Sequence, residues 1–455
     1  MNLSKYIGDK AFMKAAIMVG VPLMLQQLIT GSVNLVDNLM VGQLGDAAIG
    51  GVAAVNRFYI IAQYGANGIV AAGSIFIAQY FGARNMDKMK ESFRFLLNIS
   101  IAIMLVFFLL VFIFPEAILG FFTNDPAVIE MGVLYARLVS FSYIPIAITL
   151  SISGSMRSIG ETKIPLFVSA IAVLINTFLN YCLIFGNFGF PQLGIRGAAY
   201  ATLVARFIET GLLLYFIKEY EFDFKTKIKE LFHVPAALSK KIMIKAAPLA
   251  MNEILWAGGM ATLFKFYSTR GPEVMSGFSI SSTIGDIFFV LFGGMAAAST
   301  VLISQPLGAN KLEEGRRHGY QLMGFSFILS FIFATLMFIA SFYIPYLYQN
   351  ISMDALKIAE NMLRIQSFMF AIYVLNTQNY FVLRAGGDTK STLIMDSAFM
   401  WLINIPLVAV LAYFTPIGIY ALYIAGQSTD LIKLAFGYWL VRKEKWVRNL
   451  THEEL

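Results

Sequence analysis

Charged residues are scarce in this chain. They make up 13% of its 455 residues, whereas hydrophobic residues make up 58%. A soluble globular domain carries about 25% charged residues. So few charges cannot cover a surface that faces water, and this excludes an ordinary soluble protein.

Histidine and cysteine are also scarce. The single cysteine, Cys182, makes an intrachain disulfide impossible. The three histidines, His233, His318 and His452, fall in predicted loops or the tail. No metal-ligand cluster and no nucleophile–base arrangement is visible in a predicted span, so the sequence does not predict an enzyme.

Long apolar runs are what the chain has instead. A helix needs about 20 residues to cross a bilayer, and a transmembrane strand only about ten alternating ones. Twelve stretches reach helix length, near 15–41, 48–80, 93–114, 127–156, 164–186, 194–217, 242–269, 275–307, 320–344, 355–383, 391–414 and 417–441. They predict an all-α membrane protein with twelve transmembrane helices. The first stretch is too long for a cleavable signal peptide.

The net charge of +7 is explained by where the basic residues lie. They cluster at the N-terminus, after the second and fourth stretches, between the two halves and in the C-terminal tail. With twelve spans, all these clusters fall on one side of the membrane. The positive-inside rule then predicts a plasma (inner) membrane protein with both termini in the cytoplasm. No nucleic-acid partner is needed.

The two halves of the chain repeat each other. Four pairs of positions match at nearly the same spacing: Pro22 with Pro248 (226 residues apart), Gln79 with Gln305 (226), Arg157–Lys163 with Arg384–Lys390 (227) and Gly194 with Gly418 (224). We predict a six-helix N-lobe over 1–217, a cytoplasmic linker over 218–241, a six-helix C-lobe over 242–441 and a cytoplasmic tail over 442–455. Tandem copies in an apolar chain are typical of transporters with a substrate path between the copies.

The matched prolines and the matched basic loops have competing interpretations. Pro22 and Pro248 each interrupt the first helix of a half, which bends a helix and points to a binding site, a moving element or a passive kink. The Arg-x-x-Gly-acid-Thr-Lys loops lack the glycine spacing of a phosphate-binding loop. We interpret them as helix-ending glycines flanked by cytoplasmic basic residues.

Charges inside the spans carry the functional signal, because they are costly in a bilayer. Arg206 with Glu209, and Asp430 with Lys433, are spaced to form pairs on their own helices. The carboxylates that remain are Asp37, Glu253 and Asp286, and the aligned residues of the other half are Leu263, Gln27 and Ile60. The ionisable groups are therefore asymmetric on a symmetric frame.

Asp37 is the strongest candidate for binding a coupling ion. No basic residue lies within a turn of it. A carboxyl group in such surroundings can alternate between holding a proton and holding a metal cation, although a helix-capping role is the alternative. Asn176 and Asn180 share one helix face, and Thr202 follows a run of small residues. Their convergence would form a Na⁺ site or proton relay; separately, each is ordinary helix packing.

The chain resembles the multidrug and toxin extrusion (MATE) family of secondary transporters over nearly its whole length. The resemblance rests on Pro22 with Val36–Gly42, Ala78–Ala83, Arg157–Lys163, Leu179–Gly186, Leu193–Thr202 and the second basic loop. It implies a V-shaped pair of six-helix bundles that exports amphipathic, often cationic drugs in exchange for H⁺ or Na⁺. It also implies a cation-coupling site at Asp37, Asn176, Asn180 and Thr202, and a drug contact at Asn34.

The family pattern is incomplete elsewhere. Some members have an aspartate where Asn180 stands, and others use a C-lobe acid pair of which only Glu253 has a counterpart here. We expect a monomer that needs no cofactor beyond the coupling ion, and the sequence leaves H⁺ and Na⁺ open. The alternative is a flippase for lipid-linked saccharides, for which Arg57 is the main cation expected in the cavity.

Overall fold

The computed structural model describes residues 3–222, 224, 226, 228–343 and 352–452. Over these residues the chain is helical, and no strand occurs among them. The first half contains α1 Lys10–Gly42, α2 Asp46–Gly82, α3 Met86–Ile113, α4 Pro115–Phe122, α5 Pro126–Val139, α6 Tyr143–Ser158, α7 Lys163–Phe185 and α8 Ile195–Glu219. Short 3-10 helices occupy Leu3–Tyr6, Ser140–Ser142, Asn187–Gly189 and Ile228–Glu230.

The second half repeats this order with more irregular helices. It contains α9 Ala236–Ser268, α10 Pro272–Phe292, α11 Gly294–Ser299, α12 Gln305–Gly308, α13 Leu312–Ser341, α14 Met353–Ala385, α15 Thr389–Leu393, α16 Ile405–Phe414 and α17 Ile419–Arg442. Single π-helical turns at Thr300–Ser304, Ile394–Ala398 and Met400–Asn404 join neighbouring helices. π-Helical turns are rare in proteins, and those that occur are often found at functional sites.

Nine helical stretches among the described residues are long and apolar enough to cross a bilayer. They coincide with nine of the predicted spans. The other three predicted spans, near 242–269, 355–383 and 417–441, also lie in long helices (α9, α14 and α17) that are less apolar. The protein is therefore a multi-pass membrane protein, and an all-α fold is confirmed.

The backbone contacts divide the chain into two compact units. One contains the residues up to Met24 and those from Met251 onward, and the other runs from Leu25 to Ala250. Both boundaries fall two residues after a matched proline, Pro22 in α1 and Pro248 in α9. Each proline lies inside a helix that continues past it.

The sequence repeat reappears at several backbone positions where φ is positive. Residues other than glycine rarely adopt this conformation, so such positions mark tight turns. Eight of the twelve positive-φ residues described form matched pairs: Gly45 and Gly271, Arg84 and Asn310, Gly160 and Gly387, and Glu221 and Glu444. The other four, Gly186, Phe188, Gly189 and Gly194, have no positive-φ counterpart among the described residues. Gly160 and Gly387 have φ values of 94° and 78° and lie in the two basic loops. This confirms the interpretation of those loops as glycine turns that end helices.

A short segment folds back onto each half after its last helix. In the first half Phe224 is fully buried, with its ring centroid 5.2 Å from that of Phe93 on α3. In the second half Trp446 is fully buried against Gly319 on α13. Phe93 and Gly319 lie 226 residues apart and are therefore matched. The large indole fits because the facing residue is glycine, where an added Cβ would lie 2.5 Å from the ring.

Candidate cation site

The predicted site residues of the first half come together around Asp37. Its carboxylate lies on α1, Asn176 and Asn180 lie on α7, and Thr202 lies on α8. Asn180 Nδ2 donates a hydrogen bond of 2.7 Å to Asp37 Oδ1. Asn176 and Asn180 are four residues apart, so one face of α7 carries both amides toward the carboxylate.

Asn176 links the carboxylate to α8. Both ends of its amide find partners when its nitrogen faces Asp37: Nδ2 then donates at 2.8 Å to Oδ2 and 3.1 Å to Oδ1, and its oxygen accepts the backbone N–H of Thr202 at 3.2 Å. The amide also lies 3.4 Å from the Thr202 hydroxyl. The Asp37 carboxylate and the Asn176 amide thus join three helices, α1, α7 and α8. A metal cation or a proton bound at Asp37 would act on all three at once.

One oxygen of the site is left unpaired. Asn180 Oδ1 is buried and has no hydrogen-bond partner among the described residues. A buried polar atom without a partner is costly, and such atoms call for an explanation such as an ion or a water molecule. The carboxylate of Asp37, the amide oxygens and the Thr202 hydroxyl are the hard oxygen ligands that Na⁺ takes. Protonation of Asp37 would instead give an O–H that an amide oxygen can accept.

Asp37 opens into a cavity of about 520 Å³ within the first half. The cavity wall also includes Arg57, Tyr135 and Arg206. Arg206 donates to Glu209 on its own helix at 2.7 Å, which confirms that predicted pair. No basic side chain in the described part of the chain forms an ion pair with Asp37. Tyr135 and Thr202 both line this cavity. This mixed apolar and polar lining is typical of small-molecule sites.

Of the other predicted residues, Glu253 and Asp286 make no hydrogen bond to this cluster among the described residues. Asn34 lies on α1, but its side chain is outside the described part of the structure. Glu253 is half-buried on α9, and its electrostatic neighbours are Arg384 and Asp396. Asp286 on α10 is exposed. A possible second acidic site at Glu253 and Asp286 stays a prediction.

The second half contains an ion pair that the sequence did not predict. Lys433 Nζ on α17 contacts Asp396 Oδ1, which lies in the π-helical turn after α15. The predicted pair of Lys433 with Asp430 is wrong, because the ammonium group reaches across to the neighbouring helix instead. Asn252 on α9 donates to the other oxygen of Asp396 at 3.0 Å. Asp396 is a charged residue inside an apolar stretch of the sequence, and this feature could have identified it as a candidate.

Comparisons with known proteins identify the family. The MatE family model matches residues 22–182 and 248–410, one match in each half. "Probable multidrug resistance protein NorM" of Halalkalibacterium halodurans is 27% identical over 93% of this chain and 92% of its own. "Probable multidrug resistance protein YoeA" of Bacillus subtilis is 23% identical over 94% of both chains.

Solved structures show the same fold. A crystal structure of MATE in the bent conformation superposes with a TM-score of 0.87 at 17% identity, covering 99% of this chain and 98% of that one. A MOP superfamily transporter from Pyrococcus furiosus, described as having a binding pocket of reverse polarity, gives 0.87 at 16% identity over 99% of both chains. Together with the matched halves and the helical architecture, these findings show that the chain belongs to the MatE family and is a MATE transporter.

Proposed function

We propose that this chain is a secondary active multidrug efflux antiporter, which exports amphipathic, often cationic compounds in exchange for H⁺ or Na⁺. The observation that carries the proposal is the Asp37 carboxylate, held by amides of α7 at the wall of a cavity of about 520 Å³. The names of the relatives point in the same direction, since both are named as probable multidrug resistance proteins.

The geometry supports an exchange mechanism in which the amides follow the charge of Asp37. Asn176 and Asn180 can both direct their N–H groups to the carboxylate. When a cation or proton binds, rotation of an amide presents its oxygen instead. Because α1, α7 and α8 share this network, ion binding changes how they pack, which lowers the affinity for the exported compound.

Pro22 is the proposed bending point of this cycle. It lies in α1, 15 residues before Asp37, and so about 22 Å away along a helix that rises about 1.5 Å per residue. A proline removes one backbone hydrogen bond and lowers the cost of bending there. Pro248 is the corresponding point of α9. Ion binding at Asp37 would thus be transmitted along α1 to its bend.

The proposed topology is twelve transmembrane helices in two six-helix bundles. Both termini would lie in the cytoplasm, the membrane would be the plasma membrane, and the chain would work as a monomer. Nine apolar helices and three less apolar ones at the remaining predicted spans support the helix count. The basic clusters after the second and fourth helices, in the linker and in the tail support the orientation.

The test is efflux of a fluorescent cationic dye from proteoliposomes under a Na⁺ gradient and a pH gradient, imposed separately. We expect one gradient to drive dye export by the wild-type protein and Asp37→Asn to abolish this export. Asp46→Asn is the matched control, because Asp46 is exposed in the first turn of α2. Equal gradient-driven export by Asp37→Asn and Asp46→Asn would refute the proposal.

A lipid-linked saccharide flippase is the second candidate, and one observation favours it. Arg57 is exposed and lines the cavity, where a cation can bind a phosphate group. The carboxylate of Asp37 in the same cavity favours a cationic compound over an anionic one. Translocation of a fluorescent lipid-linked saccharide in the same vesicles, lost in Arg57→Gln while dye export is absent, would decide for the flippase.

A further inference from the structure

The carboxylate of Asp396 is surrounded by donors from two other helices. Lys433 contacts Oδ1, and Asn252 Nδ2 donates to Oδ2 at 3.0 Å. Ser397 Oγ holds the amide of Asn252 in place by donating to its Oδ1 at 2.6 Å and to its backbone oxygen at 3.0 Å. The Asp396 and Lys433 side chains are only 17% and 13% exposed. The carboxylate therefore has a charged partner and an amide partner at once.

The last helix of the first half uses its cation differently. Arg206 lies in α8 and Lys433 lies in α17. Arg206 pairs with Glu209 on its own helix, and among the described residues Asp37 receives its hydrogen bonds from amides of α7. Lys433 crosses to another helix and binds the carboxylate directly. The cation of α8 thus leaves the carboxylate of its half available, whereas the cation of α17 occupies the other.

Other charged groups face this pair. Asp430 lies one turn before Lys433 on α17 and interacts electrostatically with both Lys433 and Asp396. Its carboxylate receives Asn376 Nδ2 at 3.5 Å, and its backbone oxygen receives the same nitrogen at 3.0 Å. Glu253 faces Asp396 and Arg384 from α9. Three carboxylates and two basic groups therefore share this region of the second half.

We propose that Lys433 is a tethered cation, which keeps Asp396 occupied and prevents the second half from binding an exchangeable proton or metal cation there. The protein would then couple transport at Asp37 alone, and this part of the inference rests on the proposed function. Lys433 is a positioning residue that sets the number of exchangeable sites. Removing its ammonium group should convert the Asp396–Asn252–Ser397 cluster into a second site of the same chemical class as the first.

Infrared spectroscopy of the purified full chain tests this, because a protonated carboxyl group has a carbonyl band that a carboxylate lacks. The Asp37→Asn background removes the signal of the first half, and protons alone are the probe. We expect Asp37→Asn/Lys433→Met to gain a carbonyl band for about one protonated carboxyl on mild acidification. Asp37→Asn alone and Asp37→Asn/Lys433→Arg should lack it, since both retain a cation.

Adding Asp396→Asn assigns the band. Loss of the carbonyl band in the triple variant Asp37→Asn/Lys433→Met/Asp396→Asn supports the proposal. If the band persists in this variant, Asp430 or Glu253 takes the proton and the proposal is overturned. The absence of any new band in a folded Asp37→Asn/Lys433→Met variant would also overturn it. The comparison of wild type with Asp37→Asn reports separately on the first half, so failure of the proposed coupling site is distinguishable from failure of the tethered-cation proposal.

Folding supplies a second readout. Lys433→Met leaves a buried carboxylate without its partner, which destabilises a protein, whereas Asp396→Asn removes that charge. We expect Lys433→Met to lower the melting temperature or the yield of folded protein, and the added Asp396→Asn to restore part of the loss. A Lys433→Met defect that Asp396→Asn leaves unchanged would overturn the proposed pairing.

Discussion

The two halves of this transporter share a frame and differ in their charges. Asn176 and Asn404 are matched 228 residues apart, and Thr202 and Thr429 are matched 227 apart. The amide of Asn176 lies 3.4 Å from the Thr202 hydroxyl, and Asn404 Nδ2 donates to the Thr429 hydroxyl at 2.8 Å. The same pair of side chains thus joins the last two long helical segments of each half.

The carboxylates occupy opposite helices in the two halves. In the first half Asp37 lies on α1, the first span, and accepts a hydrogen bond from Asn180 on α7, the fifth span. In the second half Asp396 lies just after α15, in the fifth span of that half, and accepts a hydrogen bond from Asn252 on α9, the first span. Lys433 adds a permanent cation only in the second half. The helices of the two halves therefore match, whereas the charged groups around the two carboxylates do not.

The largest effect is expected for a feature that the two halves share. In each half, the short segment after the last helix buries one aromatic side chain, Phe224 in the first half and Trp446 in the second. Trp446→Ala should lower the free energy of unfolding by about 3–5 kcal/mol, because it removes a fully buried indole, and Phe224→Ala should cost a comparable amount. Chemical denaturation in detergent measures both. Trp439→Ala is the control, since that side chain is 50% exposed, and an equal loss there would contradict the assigned packing.

The second prediction compares the matched asparagines. Asn176→Leu should reduce gradient-driven export about tenfold or more, because a buried charge that loses an amide donor costs about 1–3 kcal/mol. Asn404→Leu is the matched control and should leave the ion dependence unchanged, since its partners are Thr429 and the backbone oxygen of Gly426. Equal loss of ion dependence in both variants would place coupling in both halves.

The third prediction compares the matched threonines. Thr202→Val should reduce gradient-driven export by about 2- to 10-fold, because a hydroxyl near Asn176 contributes about 0.5–1.5 kcal/mol. Thr429→Val should reduce stability by a similar free energy and leave the ion concentration for half-maximal export unchanged. Initial export rates at graded ion concentrations measure the difference. A shift in Thr429→Val alone would reverse the assignment of the halves.

The smallest effect belongs to an ion pair outside both clusters. Arg137 and Glu116 are 3.1 Å apart, with side chains 55% and 58% exposed. Such a pair contributes at most about 1 kcal/mol. Arg137→Gln should therefore leave export unchanged and shift the unfolding midpoint only slightly. A loss of export in this variant would show that charge outside the two clusters matters.

The frame could be predicted from the sequence because repetition and apolar length are properties of the chain itself. The spacing of 226 residues between Pro22 and Pro248 indicated the repeat, and the structure adds four pairs of positive-φ residues that are 223 to 227 residues apart. The site around Asp37 could be predicted in part, because helical spacing puts Asn176 and Asn180 on one face. Thr202 was a candidate because it follows a run of small residues, and the family resemblance implies the same residue.

The Asp396–Lys433 pair could not be predicted, because its partners are 37 residues apart on different helices. Spacing within one helix favoured Asp430 as the partner of Lys433, and only the packing of α15 and α17 shows otherwise. The burial of Trp446 was missed for a similar reason. From its sequence, a short charged tail is expected to be exposed to solvent. Only the structure shows that Gly319 on α13 leaves room for the indole of Trp446.

The most direct test of the central claim is to measure ion flux coupled to dye export in proteoliposomes containing Asp37→Asn. With Lys433 in place, the account predicts that this single substitution removes all coupled ion flux, while dye binding and the folded state are retained. Residual flux, dependent on the ion gradient and lost only on further substitution of Asp396, would contradict it. Such a result would mean that the second half exchanges an ion despite its lysine.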